Sequence, residues 1–528
     1  MGRIQVLDCT LRDGGYCNNW EFGQKNISLI MDALTEANVD IVECGYLTEA
    51  SKELSDSTQY ASLNSAEKKI PENYRKMAVC MINYGEYSLE RIPVYDEGRI
   101  AGIRIAFHKK DLQEAMEYCR GIRKKGYQVF VQPMLTSNYS EEEFLQMIEL
   151  ANKVQPYAVY IVDSFGGMKE RELLRLFYML EHRLAKEIKI GFHSHNNMQL
   201  AYSNAKSLIS VQTKRNLIVD SSIFGMGRGA GNLNTELLTE HLNECEDASY
   251  QLSPLLSVID RVLSDFYKEN YWGYSIANYL SARHNAHPNY ARHLDGKSTL
   301  TIESMNEIFS IMEESKKANY DGSYIENLYI HYMGERSISD DNFQNFAQVV
   351  KDSSILIIAP GISSRERKEE IQQCAERTKC ISIGVNFDYP YLKTDYIFLS
   401  NMRRYRELNK ESLSRCISTS NIAVDDVYLK VDYAKLLNNV DGVRDNAALM
   451  LIKLLITLEA KEIYIAGIDG YSHDRNSNYA DRSMSYAPQL ELFEVMNKGL
   501  STMLNAYAAE IPIHFITSPR YIDVSLMK

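Results

Sequence analysis

A chain of 528 residues is longer than one hydrophobic core organises, since domains usually span roughly 100–250 residues, so two or three are expected. Hydrophobic residues make up 45% of it and charged residues 24%, ordinary values for a globular protein. A formal charge of −12 excludes a general nucleic-acid binder, which needs surplus Lys and Arg to displace counterions, but leaves room for a local basic pocket.

The chain enters a strand almost at once, in MGRIQVLDCTLRDGG, with no apolar signal core before it. Short apolar runs then recur at Ile4–Leu7, Val39–Cys44, Met77–Ile82, Ile103–Phe107, Tyr127–Val131, Ala158–Val162, Ile188–Phe192 and Leu217–Phe224. They are rich in Val and Ile and lack strict polar alternation, as strands buried on both faces do. Helical stretches such as Asn26–Ala37, Leu112–Lys124 and Glu141–Lys153 separate them, and Ser140 followed by Glu143 has capping-box spacing. Eight such units within about 250 residues predict a closed (β/α)8 TIM barrel over residues 1–240, with an open doubly wound sheet as the competing arrangement. Residues 241–345 read as a helical extension, and Ser337–Phe346 as a linker. A second α/β pattern occupies 346–528, with strands expected at Ser354–Ala359, Ile381–Val385, Tyr396–Leu399, Val427–Val431, Glu462–Ala466 and Ile513–Ile516. It predicts an open Rossmann-like α/β domain. The apolar stretch Ala447–Leu458 carries Lys453 and is too short for a bilayer, so it reads as a buried helix. Nine cysteines without a CxxC pair read as reduced thiols, and a cytoplasmic protein with no membrane span is expected.

In a barrel, active-site residues lie at the C-terminal ends of the strands. The first strand leads into LDCTLRDGGY, where Asp13 is a hard ligand for Mg2+, Mn2+ or Zn2+ and Arg12 is placed to stabilise an oxyanion. Taken alone, Asp-Gly is as well explained by a turn. The seventh strand leads into GFHSHNNMQLA, whose His193 and His195 share one face of an extended strand and so suit one metal ion. The eighth leads into FGMGRGAGNLNTELL, where Gly225, Gly227, Gly229 and Gly231 expose backbone N–H groups to a carboxylate or phosphate. Asn232 is within reach of the same metal.

TLRDG, HSHNN and GxGxxxGN, in that order and spacing, resemble the metal-dependent barrel lyases known as DRE-TIM metallolyases, over roughly residues 3–300. That group includes 4-hydroxy-2-oxovalerate aldolase, 3-hydroxy-3-methylglutaryl-CoA lyase and the isopropylmalate and homocitrate synthases. The resemblance implies a divalent metal held by Asp13, His193 and His195, with Asn232 as a fourth ligand used by some members, and makes Arg12 the catalytic arginine. Glu43, in IVECGY, matches an acidic position near the family site; a salt bridge to a barrel arginine explains it equally well. The aldolases place a tyrosine from the post-barrel helices at the site, and Tyr274 in WGYS is the candidate, against the reading that it packs. They also place a histidine base where this chain has Tyr16, a departure that leaves the base and the substrate open. The resemblance therefore implies an aldolase or lyase acting on a 2-oxo acid and an aldehyde. The alternatives are a Claisen-type acyl-CoA condensing enzyme, and a binding or scaffold protein.

In the second half, Pro360-Gly361 and Ser363 join a strand to a helix as a phosphate cradle would. Asn386, Asp388, Asp469 and Tyr471 fall at strand ends, where open α/β sheets bind ligands. This half resembles the nucleotide-binding domain of motility-accessory glycosyltransferases and certain sialyltransferases, which implies a nucleotide or nucleotide-sugar ligand and, by extension, a place in surface-polysaccharide sugar biosynthesis. An α/β domain serving assembly alone is the competing account. A homo-oligomer formed through the post-barrel helices is also expected.

Overall fold

A computed structural model describes residues 2–52, 54–297, 300–334, 342–422, 424–484 and 492–521. Eight parallel strands follow one another around a closed sheet: β1 (Ile4–Asp8), β2 (Ile41–Leu47), β3 (Met77–Asn83), β4 (Ile100–Phe107), β5 (Gln128–Pro133), β6 (Ala158–Asp163), β7 (Lys189–Ser194) and β8 (Leu217–Ser221). Closure is made by β1, which pairs with β8 from Ile4↔Leu217 to Asp8↔Ser221 and with β2 through Leu7↔Ile41 and Asp8↔Val42. The open-sheet alternative is thereby excluded and the barrel expectation met.

Alternate residues of each strand serve two cores. Val159 and Ile161 of β6 pack outward with Phe144, Met147 and Ile148 of the helix Glu141–Val154. Ala158, Tyr160 and Val162 of the same strand point into the barrel with Leu7, Ile41, Val79 and Ile218. Burial on both faces is why the sequence showed apolar runs rather than alternation. The helix Glu141–Val154 opens with the expected capping box: Ser140 Oγ accepts from the Glu143 backbone N–H (3.1 Å), and the Glu143 carboxylate accepts from the Ser140 N–H (2.8 Å).

The chain forms two compact units, Met1–Ala291 with Glu313–Tyr320, and Arg292–Met312 with Asp321–Lys528. The second contains a seven-stranded parallel sheet built from β9 (Ser354–Ile358), β10 (Ile381–Val385), β11 (Tyr396–Leu399), β12 (Cys416–Thr419), β13 (Leu429–Val431), β14 (Glu462–Ala466) and β15 (Ile513–Phe515), in the order β13-β12-β11-β10-β9-β14-β15. The order reverses at β9, which creates a crevice at the C-terminal ends of β9 and β14.

Two expectations need correction here. Cys416–Thr419 is a buried inner strand, unrecognised because half of it is Ser and Thr. The linker expected at Ser337–Phe346 falls partly outside the described residues, and its end begins the helix Phe343–Val350, which buries Phe346 and Val350. Ala447–Thr457 is the expected buried helix, with the Lys453 ammonium donating to the Leu437 carbonyl (2.7 Å). Among the described residues no helix is long and apolar enough to cross a membrane.

Candidate metal centre at the barrel mouth

Arg12 and Asp13 end a single helical turn, Thr10–Asp13, that comes directly after β1. His193 is the penultimate residue of β7, His195 lies one residue past its end, and Asn232 is in the loop after β8. All five are buried to at least nine-tenths. One ligand atom each from Asp13, His193 and His195 falls within 4.8 Å of the others. The loop after β8 is tied to the end of β7 by a bridge between His195 and Asn232 and by the Asn196 N–H donating to the Gly231 carbonyl (2.8 Å).

Both imidazoles are oriented by their Nδ1 atoms. His193 Nδ1 donates to Asp220 Oδ2 (2.9 Å) and His195 Nδ1 to the Asp163 carbonyl (3.1 Å), which leaves each Nε2 as the lone-pair side. His195 Nε2 is buried without a hydrogen-bond partner, 3.4 Å from Asp13 Oδ2. Asn232 Nδ2 donates to Asp13 Oδ2 (2.6 Å), and its Oδ1 is buried and unpartnered. Burial pushes the His193 imidazole down to about 4, with Asp220 opposing, so the ring is neutral as a metal ligand must be. Burial alone would raise Asp13, but the Arg12 guanidinium beside it holds its carboxyl well below the usual range. Two converging imidazole lone pairs, an ionised carboxylate and a spare amide oxygen fit a divalent cation.

Beneath this cluster runs a chain of buried charges that the sequence did not disclose in full. Arg12 reaches Asp13 through Nη1 and Glu43 Oε2 through Nε (2.7 Å). Arg104, fully buried on β4, makes ion pairs with Glu43 (2.9 Å) and with Asp220, and lies over the Tyr160 ring at 5.0 Å. Asp220 in turn orients His193. Glu43 is thus both things the sequence left open: bonded to barrel arginines, and adjacent to the site through Arg12. Arg104 and Asp220 were passed over, although a charged residue inside the apolar runs IRIAF and LIVDS was the visible signal.

The glycine loop is less open than expected. The Gly225 N–H donates to the Ser222 carbonyl, Gly231 to Arg228, and Ala230 to Asn197 Oδ1 (2.7 Å). Gly231 has φ +80°, and a Cβ there would meet the Gly225 carbonyl oxygen at 2.0 Å. At Gly227 a Cβ would meet Asn232 Nδ2 at 2.2 Å and Asp13 Oδ2 at 2.8 Å. Gly227→Ala is therefore expected to weaken metal binding by roughly 10–100-fold, the usual effect of disturbing a ligand's hydrogen-bonding support, while the barrel stays folded. Metal titration with a circular dichroism spectrum checks it; unchanged affinity would show that the loop yields without cost.

The centre opens into a cavity of about 230 Å3. Tyr16 lines it, edge-on to Trp20 at 4.7 Å between ring centroids. Tyr274 does not line it and is half exposed; Trp272 is the aromatic of that segment that packs inward, donating from Nε1 to the Phe224 carbonyl (2.9 Å). Three basic lining residues were missed: His108 just past β4, Arg228 in the glycine loop, and His287 in the post-barrel segment. Burial pushes the His108 imidazole below the usual histidine range, with Asp111 opposing.

In the second unit a cavity of about 290 Å3 sits at the strand-order reversal, lined by Gly361, Asn386, Asp469 and Tyr471 among others. Asn386 adopts φ +65° and, among the described residues, its Oδ1 is buried without a partner. The phosphate cradle expected at Ser363 is filled from within: Asp469 accepts from the Ser363 N–H (2.8 Å) and from its hydroxyl. Asp388 is turned to Arg415 (2.5 Å) and Ser412, away from the cavity lining. Arg403, Arg404 and Arg444 supply positive charge around the cavity, and the helix Ala447–Thr457 starts at its wall.

Residues 3–260 match the model of the HMGL-like family. The 4-hydroxy-2-oxovalerate aldolase of Pelotomaculum thermopropionicum is 26% identical over 254 residues, covering 47% of this chain and 72% of the relative. The enzyme of the same name from Geobacillus genomosp. 3 is 28% identical over 245 residues, 46% of this chain and 70% of the relative. The carboxyl transferase domain of Rhizobium etli pyruvate carboxylase, solved with 3-bromopyruvate, has a TM-score of 0.50 at 13% identity, covering 66% of this chain and 64% of that one, a likeness of fold. The likeness to the HMGL-like family thus spans residues 3–260, the barrel with its buried Asp-His-His cluster.

Proposed function

We propose that the barrel unit is a divalent-metal-dependent carbon–carbon lyase that forms or cleaves an aldol between a 2-oxo acid such as pyruvate and an aldehyde. The observation that carries this reading is the buried Asp13–His193–His195 cluster with Arg12 beside it at the mouth of an HMGL-like barrel. The aldolase relatives support the same reaction class. A divalent cation supplies Lewis acidity toward the keto oxygen of the 2-oxo acid, which makes the C3 hydrogens acidic. Asp13, His193 and His195 hold it, with Asn232 Oδ1 as a further donor. Arg12, clamped by Glu43, presents its guanidinium where negative charge grows on that oxygen, a role commonly worth about 3–4 kcal/mol in the transition state. His108 and Tyr16 face the cavity as proton-transfer groups, the former kept neutral by burial.

The test is proton NMR of pyruvate in D2O with purified protein and Mg2+ or Zn2+, with and without chelator. Loss of the methyl signal that needs metal is the expected result. No exchange with pyruvate or any other 2-oxo acid would end the lyase reading.

For the second unit the reading is a nucleotide or nucleotide-sugar site, which would connect the barrel's product to a surface-polysaccharide sugar. It is supported by the cavity at the strand-order reversal, whose lining includes arginines and Asn386, the Oδ1 of which has no partner among the described residues. Calorimetric titration of the full chain with CMP, UDP and ADP tests it, and silence with all three would remove it.

A further inference from the structure

We propose that Arg228 anchors an anionic group on the second substrate, so that the partner of the 2-oxo acid is a small aldehyde carrying a carboxylate or a phosphate. The inference rests on the lyase reading above and adds the substrate class to it.

Three arginines of the barrel differ in how their charge is met. Arg12 is paired with Asp13 and Glu43, and Arg104 with Glu43 and Asp220. Arg228 lines the same cavity as Arg12, yet among the described residues it makes no ion pair with a carboxylate. Its Nε is buried without a hydrogen-bond partner. Its guanidinium lies 5.0 Å from the centroid of the Tyr16 ring, a contact that holds the side chain over the cavity without neutralising it. Flanked by Gly227 and Gly229, the residue is carried on the loop that also presents Asn232, which donates to Asp13.

His287 adds a second donor. Its Nδ1 accepts from the Asn289 backbone N–H (3.1 Å), so the neutral ring carries its proton on Nε2. That Nε2 lies 3.4 Å from Arg228 Nη1. An edge-on contact with the Phe165 ring, 5.8 Å between centroids, fixes the orientation of the imidazole. Two donors therefore converge on one corner of the cavity, and the complementary ligand is rich in acceptors. A guanidinium whose Nε is withdrawn from water without a partner calls for an acceptor, and its fork of donors matches carboxylate and phosphate oxygens. The 2-oxo acid has its own cation pair in the metal and Arg12, which leaves Arg228 for the other reactant. The cavity of about 230 Å3 keeps that reactant small.

The experiment uses full-length, metal-loaded protein, wild type and Arg228→Gln. Three quantities are read: pyruvate methyl exchange in D2O, kcat/KM for aldol addition to propanal, succinic semialdehyde and glyceraldehyde 3-phosphate, and calorimetric binding of succinate and inorganic phosphate. Wild type should favour one of the charged aldehydes over propanal, and which of the two identifies the anion. Arg228→Gln should lose about 10–100-fold toward that aldehyde and weaken the matching anion, with a much smaller change in propanal addition and exchange. Equal use of neutral and charged aldehydes by wild type overturns the proposal. So does an equal loss in exchange, which would assign Arg228 to the 2-oxo acid. If wild type exchanges no 2-oxo acid, the lyase reading fails; the anion site is then judged by calorimetry, and equal binding by the two proteins overturns it.

Discussion

Asp13→Ala is expected to abolish metal binding and pyruvate exchange together. Asp13 is the one carboxylate of the three-residue cluster, and its two oxygens are engaged by different neighbours: Oδ1 by Arg12 and Oδ2 by Asn232, with His195 Nε2 at 3.4 Å. Without it, a dication would meet two imidazoles and the guanidinium of Arg12, whose repulsion the carboxylate no longer offsets. Asp220→Asn provides the graded comparison. That change leaves all three ligands in place; it disturbs the bond that orients His193, which typically costs about 10–100-fold in affinity or activity, and weakens the buried ion pair to Arg104. Asp13→Ala should exceed it by a wide margin. Metal titration by calorimetry and the exchange assay check both, with a circular dichroism spectrum to show that the barrel is intact. An Asp13→Ala protein that still binds Mg2+ or Zn2+ at wild-type affinity would place the metal elsewhere.

The parts of this site that were legible in the sequence are those whose chemistry is local. Arg12 and Asp13 are adjacent, His193 and His195 are two apart on a strand, and strand periodicity fixes which way two such residues point. Barrel closure was legible from the same cause: strands buried on both faces leave apolar runs whose number could be counted. The residues that escaped act over long sequence distances. Asp220 meets Arg104 across 116 positions, and each looks like an interruption of an apolar strand until the barrel brings them together. His287 enters the cavity from beyond the barrel, where no periodicity points inward. In the second unit, Ser363 and Asp469 were each recognised as polar groups at strand ends, yet their bond to one another, which fills the expected cradle, spans 106 positions. A residue type at a strand end announces that something is held there. It does not say whether the partner is a ligand or the protein itself.

Glu43→Ala is expected to be the most destabilising single change in the barrel, and to slow exchange without touching a metal ligand. Glu43 is fully buried and its Oε2 serves both Arg12 Nε (2.7 Å) and Arg104 (2.9 Å). Burial pushes its carboxyl up, and Arg104 and Arg12 pull against that, so the pairing repays desolvation rather than adding a large surplus. Removing one member is different from never having had the pair. The alanine leaves two guanidiniums facing each other in the barrel interior with one counter-charge fewer, a change that costs about 3–5 kcal/mol in comparable buried pairs. For a unit of this size each kcal/mol moves the melting temperature by about 2–4 °C, so a shift of roughly 10 °C is expected. Glu43→Gln separates the two effects: it keeps the side-chain volume and one acceptor for Arg12, and gives up only the charge. Its melting temperature should lie between those of Glu43→Ala and wild type. Its exchange rate should still fall, because a guanidinium bonded to a neutral amide is held less firmly where charge develops. Thermal melting of both variants beside the exchange assay decides the matter. A Glu43→Ala protein that melts with wild type would show that Arg12 and Arg104 find other counter-charges, and that the chain of buried ions from Arg12 to His193 does not hold the site in place.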